Sequence, residues 1–374
     1  SGWTYSPTGA LGLANTTITI TYAEGGVSKT CTQAITVSNY LSSIAVTHAP
    51  TKTSYFTGET FNSAGMVVTA TMADGSKKTV TGYTCSPTTM AANTTAVTVS
   101  YSEGGVTKTT TTPVTVTSIS NTLASNSWAT IRAVSDAGKG SNYWSVGDAK
   151  GITINGKVGA TTISNLAISV FILGFNHSRE GSNRIHFQIG KINGTLVGLV
   201  DGNYSNYTST TGAFTMNTSN TNSGGGNKSH MRKTVLGSNS ASATSPTANT
   251  LLAALPADLR AVMKPATKYS DNTGGGSDTA SYVTSTTDLL PLLSEFEYHG
   301  ARSYANSAEK NYQAQYDYYR AGNSRVHYKH NATGTAANAW CRSVNSGNNN
   351  NFCLVNTDGS ANNNNANNSW ALAP

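Results

Sequence analysis

The chain has 374 residues, of which 11% are charged and 37% hydrophobic, with 36 glycines. That length holds two or three domains, and low charge with abundant Ser, Thr and Asn is the balance of extracellular β-rich proteins and unlike a cytosolic enzyme. The net charge is +7, with no run of five basic residues to suggest nucleic-acid binding, and no apolar stretch near the length of a membrane span, so no membrane insertion is expected.

The first residues, Ser1-Gly2-Trp3-Thr4, carry neither the basic start nor the apolar core of a signal peptide. The first third contains a repeat. Ile18-Thr19-Ile20-Thr21-Tyr22-Ala23-Glu24-Gly25-Gly26-Val27-Ser28-Lys29-Thr30 returns as Val97-Thr98-Val99-Ser100-Tyr101-Ser102-Glu103-Gly104-Gly105-Val106-Thr107-Lys108-Thr109, with Tyr22 and Tyr101 79 residues apart. Ser6-Pro7-Thr8 likewise matches Ser86-Pro87-Thr88. Both copies alternate apolar and polar residues around a Glu-Gly-Gly turn, which predicts equivalent β-hairpins over 18–37 and 97–116 in modules of the β-sandwich type. The complete copy spans 40–118, and residues 1–39 read as the back half of an earlier one, so the chain is expected to begin inside a domain. Tyr55-Phe56-Thr57-Gly58-Glu59-Thr60-Phe61, Met66-Val67-Val68-Thr69-Ala70-Thr71 and Asp74-Gly75-Ser76 resemble the bacterial immunoglobulin-like domains of surface and phage structural proteins. The resemblance implies a spacer.

Beyond Ser118 the character changes. Residues 119–374 read as one α+β domain, with strand-like runs at Ile152–Ile154 and Ala167–Leu173 and helical signals confined to His230–Leu236 and Thr250–Met263. Within the second, Leu251, Leu252, Leu255, Leu259, Val262 and Met263 mark a core-facing stripe that Pro256 interrupts. The Gly/Ser/Asn-rich stretches 217–229 and 271–279 are expected as surface loops.

Few arrangements suggest catalysis. Ala137-Gly138-Lys139-Gly140-Ser141 lacks the upstream glycine of a phosphate loop and reads as a turn. His327 and His330 lack further ligands at zinc spacing, so no metal is expected there. Glu295 and Glu297 would face one side of a strand as two working carboxylates do, or would cap helices and pair with Arg302 or Arg320. Cys31, Cys85, Cys341 and Cys353 form no CxxC pattern, so mostly free, buried thiols are expected.

The densest signal is at the C-terminus: 12 of the 24 residues in 345–368 are asparagine. They interrupt an apolar frame of Trp340, Phe352-Cys353, Val355, Ala366 and Ala371-Leu372-Ala373-Pro374, as loops on a rigid scaffold would. Trp340-Cys341-Arg342-Ser343, Phe352-Cys353-Leu354-Val355-Asn356-Thr357-Asp358-Gly359 and Ala371-Leu372-Ala373-Pro374 resemble the variable proteins of diversity-generating retroelements. Trp128-Ala129-Thr130-Ile131, Gly174-Phe175-Asn176-His177 and Leu255-Pro256-Ala257-Asp258-Leu259-Arg260 extend the likeness over 121–374.

That resemblance implies a C-type-lectin fold of the group that includes formylglycine-generating enzymes. The expected fold class is thus multidomain: all-β immunoglobulin-like sandwiches followed by an α+β C-type-lectin-fold domain. In the family, an error-prone reverse transcriptase rewrites adenines, and asparagine codons are its preferred targets. The variable, ligand-binding positions implied are Cys341, Asn345, Asn348, Asn349, Asn350, Asn351, Leu354, Asn356, Asn362, Asn363, Asn364, Asn365, Asn367, Asn368 and Trp370. The asparagines are expected on one exposed face, above buried Trp340, Phe352, Val355 and Leu372. No catalytic residue, cofactor or metal is expected: Cys341 and Cys353 are too far apart in sequence for a formylglycine-generating pair, and the Glu-Pro-Asn and Trp-Asn-Asp elements of calcium-dependent lectins do not occur. The family usually continues past Ala-Pro with a further strand, so a trimmed or altered terminus is expected here. The implied function is non-enzymatic binding of a host-surface protein or glycan receptor from a phage tail tip or cell-surface adhesin; a homo-oligomer such as the trimer common at tail tips is compatible with it, although nothing in the sequence resembles a coiled coil and the oligomeric state is left open. The competing reading is a decoration or spacer protein of a virion or cell surface.

Overall fold

The computed structural model describes residues 2–177 and 180–374. The chain is mostly β and divides into two compact units, Ser1–Ile119 and Ser120–Pro374.

In the first unit, β1 (Trp3–Ser6), β2 (Thr17–Glu24) and β3 (Val27–Ala34) form one three-stranded antiparallel sheet. The complete module follows. Strands β4 (Leu41–His48), β6 (Val67–Met72) and β7 (Lys77–Val80) make one sheet, and β8 (Thr84–Ser86), β9 (Ala96–Glu103) and β10 (Val106–Pro113) another. Short β5 (Ser54–Phe56) pairs in parallel with β11 (Thr115–Thr117). Alternation does the work predicted of it: Val68 and Ala70 of β6 and Val97 and Val99 of β9 are fully buried, while their odd-numbered or even-numbered neighbours face outward. Leu41, Ile44, Met66, Val68, Ala70, Val80 and Val99 form the main core. The two repeat hairpins carry one register, Glu24 opposite Val27 and Glu103 opposite Val106.

The second unit is built on a six-stranded sheet in the order β12 (Ala149–Val158), β13 (Thr161–Phe175), β14 (Ile185–Ile192), β15 (Thr195–Gly198), β18 (His327–Lys329), β19 (Ala332–Ala337). A hairpin of β16 (Ala266–Asp271) and β17 (Val283–Asp288) stands apart from it. The chain closes with a three-stranded antiparallel sheet of β20 (Ala339–Val344), β21 (Asn351–Val355) and β22 (Ala361–Asn365).

The helices are short. The longest, α1 (Trp128–Asp136), was not among the expected ones: its helical content is Ala and Arg amid β-branched and small residues, but Ser127 caps it by accepting from Thr130 N, and Trp128, Ile131 and Val134 bury one stripe. The two expected helical regions are a π-helical turn, Met231–Leu236, and a pair of single turns, Leu251–Ala254 and Ala257–Arg260, separated at Leu255-Pro256. Residues 272–279 form a loop that is mostly at the surface, as expected, but the expectation for 217–229 needs correcting in part. Gly224–Gly226 are buried, and a Cβ at Gly226 would lie 3.0 Å from the Arg342 carbonyl oxygen. Gly226 therefore packs against β20 because it lacks a side chain, while Ser219, Asn220, Ser223 and Lys228 stay exposed.

Glu295 and Glu297 are on no strand. They lie in a one-turn helix, Glu295–His299, begun by a capping box in which Ser294 Oγ accepts from Glu297 N at 3.1 Å and Ser294 N donates to Glu297 Oε2 at 2.8 Å. Both carboxylates are buried. Glu295 accepts from the backbone N–H groups of Ser303, Tyr304 and Ala305. Glu297 pairs with Arg342 of β20, whose Nη2 lies at 3.0 Å, and with Lys268 Nζ of β16 at 3.0 Å. Arg302 and Arg320 are not its partners. Burial alone would raise the Glu297 pKa, but the two cations hold it well below the usual carboxylate range. Arg342 spends its remaining donors on Ser270 Oγ (2.9 Å) and Leu292 O (2.9 Å).

Removing one partner from such a pair strands a buried charge, so Arg342→Met should destabilise the second unit by about 3–5 kcal/mol in urea unfolding, against little change for the exposed Arg320→Met. The buried imidazoles set the acid limit. Burial depresses His177 and His327 to about 4. Their unfolded forms titrate near 6.5, so between these values only the unfolded chain binds the protons, and each contributes stability that is complete above about pH 6.5 and is lost as pH falls toward 4, at up to about 1.4 kcal/mol per pH unit. Melting temperature should fall steeply over that window, and His327→Gln should flatten the slope by about one proton.

Candidate ligand-binding surface

The asparagine-rich segment sits on an almost wholly apolar floor. Trp340, Phe352 and Val355 are fully buried and Leu372 nearly so, as expected. In β21 both faces are covered: Cys353 and Val355 enter a core with Phe171, Leu173, Tyr298 and Tyr319, while Phe352 and Leu354 point the opposite way and are also buried. The hydroxyls of Tyr298 and Tyr319 share one side chain, Gln188, which donates to Tyr298 OH at 2.8 Å and accepts from Tyr319 OH at 2.6 Å.

Above this floor the asparagines divide. Asn349 is exposed, and Asn348, Asn350, Asn351, Asn356, Asn362, Asn363, Asn364, Asn365 and Asn367 are half-buried. Asn345 and Asn368 are buried, the first turning the chain by accepting from Gly347 N at 2.7 Å and the second donating to Asn364 Oδ1 at 3.0 Å. The expectation of a mostly exposed set is corrected accordingly. The amides lie low because they bond to one another and to nearby backbone: Asn351 Nδ2 donates to Asn363 Oδ1 at 2.5 Å, and Asn348 Oδ1 accepts from Asn351 N at 2.9 Å.

Three other expected contact positions are also corrected. Cys341, Leu354 and Trp370 are buried in the scaffold, Cys341 on the β20 side of the same core as Cys353 and Trp370 edge-on to Tyr204. All four cysteines are free. Cys341 and Cys353 are buried as expected, Cys85 is partly buried and Cys31 exposed.

Nor do all the asparagines meet. The β21–β22 hairpin turns at 356–360, where Asn356 N donates to Ser360 O. Loop 345–351 and residues 365–368 lie at the other end of that hairpin, about 16 Å away over five residues at the usual strand rise. The group that converges is Asn348–Asn351 with Asn363–Asn367. It is joined by Tyr207, which is 64% exposed and accepts from Asn365 Nδ2 at 3.0 Å. The single charge in 345–370 is Asp358 at the far turn. The Oδ1 atoms of Asn351, Asn367 and Asn368 accept no hydrogen bond among the described residues.

Two supports escaped the sequence reading. Asn222, fully buried, donates to the carbonyl oxygens of Asn345 (3.2 Å), Asn348 (2.8 Å) and Asn351 (3.1 Å), accepts from Gly275 N (2.8 Å), and donates its own N–H to Asn349 O (2.9 Å). Gly276 passes so close that a Cβ there would lie 2.9 Å from the Asn348 carbonyl carbon. Both stretches read as loops in sequence, and nothing local distinguishes a clamp from a linker.

The possible catalytic groups fall elsewhere. Ala137–Ser141 is the end of α1 and the turn after it, with Lys139 N bonded to Val134 O. His327 and His330 are held separately, His327 Nε2 3.4 Å from Tyr298 OH and His330 Nδ1 accepting from Val200 N at 3.1 Å. His177, Glu180 and Glu297 do bring ligand atoms within 4.8 Å of one another. Lys268 already fills their centre as the cation. Its Nζ contacts both carboxylates and Tyr316 OH (2.8 Å), and His177 stacks on the Tyr316 ring. This cluster is a neutralised structural network.

If Asn222 is the clamp, Asn222→Ala leaves three carbonyls without their shared donor and should cost about 1–3 kcal/mol, with faster hydrogen exchange confined to 345–351 and its supports. An unchanged exchange pattern in that loop would remove the clamp from the account.

Comparison with known proteins reaches part of the chain. No curated protein matches it. Residues 215–373, which hold the asparagine-rich segment, Asn222 and Gly276, match a family described as a domain of unknown function, DUF6273. Residues 48–116 match the bacterial Ig-like domain (group 3), and the module of the first unit is an immunoglobulin-like domain of that kind.

Proposed function

We propose that the second unit is a non-enzymatic recognition domain of the C-type-lectin-fold, retroelement-diversified type, carried on immunoglobulin-like spacers at a phage tail tip or on a cell surface, where it binds a host-surface protein or glycan. The observation that carries this reading is the division of labour within 339–372. A floor of buried Trp340, Phe352, Leu354, Val355 and Leu372 supports ten asparagines that reach solvent, eight of them converging with Tyr207 at one end of the sheet. A surface of short neutral amides on a rigid floor can change contact chemistry without repacking a core. Asparagine is a weak anchor, so tight binding rests on variants carrying Tyr, Trp or Arg at these positions, or on several copies acting together. In this reading Cys341, Leu354 and Trp370 belong to the floor.

One observation favours the second reading, a decoration or spacer protein with a solvating surface. The amides bond to one another, as in Asn351–Asn363 and Asn364–Asn368, and a ladder of that kind is stable for its own sake.

The encoding DNA separates the two. Recognition by diversification expects a near-identical repeat downstream of the gene's 3′ end, beside a reverse-transcriptase gene, with mismatches confined to template adenines and concentrated in the codons of 348–351 and 362–367. Mismatches spread over all four bases, or falling in the Phe352–Val355 floor codons, would sink the proposal.

A further inference from the structure

The converging asparagines lie within a wider zone that carries no charge. Residues 202–227 contain no Asp, Glu, Lys, Arg or His, and neither do residues 272–277. Both stretches border the cluster. Tyr207 pairs with Asn368, and Thr208 N donates to Asn367 O at 3.0 Å. Asn217 N donates to Ala366 O and Asn222 N to Asn349 O, each at 2.9 Å, while Gly276 passes against the backbone of Asn348. Ser205, Asn206, Ser219, Asn220 and Asn349 are exposed along these segments. At the margins the charges are engaged: Arg302 pairs with Asp278 at 3.2 Å beside Ser346, and Lys329 lies over the Tyr204 ring. A chain of net charge +7 thus turns an uncharged face to solvent here.

One large ring stands on that face. Tyr207 is 64% exposed, and among the described residues of the second unit it is the only exposed large hydrophobic side chain. It is not loose. Its backbone pairs with Asn368 and its hydroxyl accepts from Asn365 Nδ2 at 3.0 Å, so the ring is held at both ends while most of its surface stays in water.

This chemistry selects among partners. A protein partner is gripped by several aromatic, apolar and arginine anchors around a dry centre, and this face offers one ring among short amides. An anionic partner, whether nucleic acid or a sulfated or sialylated chain, calls for cations that the face lacks. A neutral sugar matches both of its elements. The edge of a pyranose is a row of hydroxyls that donate and accept, as a primary amide does through its two N–H groups and its carbonyl. Its flat side is a set of C–H bonds, which rest on the electron-rich face of an aromatic ring. On the reading that the second unit is a recognition domain, we propose that its partner is an uncharged glycan, with Tyr207 as the platform for one sugar ring and the converging amides as its hydroxyl partners.

The full chain is applied to an array of neutral, sialylated and sulfated glycans. It is also applied to a mixed community of bacterial cells, untreated, oxidised with periodate to cleave vicinal diols, or digested with proteinase K. The expected result is retention by neutral glycans, and cell binding that periodate abolishes and proteinase K spares. Affinity for the best neutral glycan should change by less than about twofold between about 0.05 and 0.5 M NaCl, because no charges are screened. Tyr207→Ala should weaken it by about tenfold or more, while Tyr207→Trp, which keeps a ring, stays within about threefold. Preference for the sialylated or sulfated glycans, or undiminished binding by Tyr207→Ala, would overturn the proposal. Cell binding that proteinase K removes and periodate leaves intact would overturn it too, giving the face to a protein while the recognition reading stands. Retention by neither the array nor any cells would sink both.

Discussion

The second unit depends on one buried ion cluster. Arg342, Glu297, Lys268 and Glu180 come from β20, the capped turn at Glu295–His299, β16 and the segment before β14, four pieces distant in sequence. Each charge is costly alone in that interior, and each is neutralised only when all four pieces are home. The cluster therefore specifies arrangement more than it adds stability. Arg342 reaches it from β20, which leads directly into the loop at Asn345, so the register of the asparagine-rich segment is fixed at its root by charge pairing rather than by the shape of its own side chains.

The segment beyond Arg342 is held differently. Its contacts are to backbone: Asn222 takes three carbonyls, Gly276 and Gly226 pass close beneath, and Ala366 N bonds Asn350 O. A main-chain clamp does not read side-chain identity. This is the local condition under which residues 348–351 can differ in sequence while keeping one path. The amide-to-amide bonds run the other way, since Asn351 and Asn364 are tied to particular partners, and they mark positions less free to vary than Asn349 or Asn350.

Much of the first unit was legible because its information is local. A two-residue alternation, a Glu-Gly-Gly turn and a repeat at fixed spacing are enough to set strands, register and inward face. The apolar floor at Trp340, Phe352, Val355 and Leu372 was legible for a similar reason, as large apolar residues in a polar stretch have one place to go. What escaped was non-local. Helix α1 owes its existence to the packing of Trp128 and Ile131 and to the Ser127 cap more than to propensity. The role of Glu297 required Arg342 and Lys268, distant in sequence, to make a buried carboxylate tolerable. Asn222 looked like one polar loop residue among many. The burial of Asn345 and Asn368 could not be told from the exposure of Asn349 by residue type, because all three are the same residue.

The strand β22 closes its sheet on one side, and all five of its residues, Ala361-Asn362-Asn363-Asn364-Asn365, are only half covered. An outermost strand offers a row of backbone donors and acceptors, and asparagine tracts stack readily on their own kind. The surface is therefore exposed to templated self-pairing as well as to partners. Substitutions that raise β-propensity there, Ile or Val in series, make edge-to-edge growth easier whatever they do for binding, whereas a Lys or a Pro at one position blocks it. Solubility thus limits which sequences this edge can display, independently of what the domain recognises.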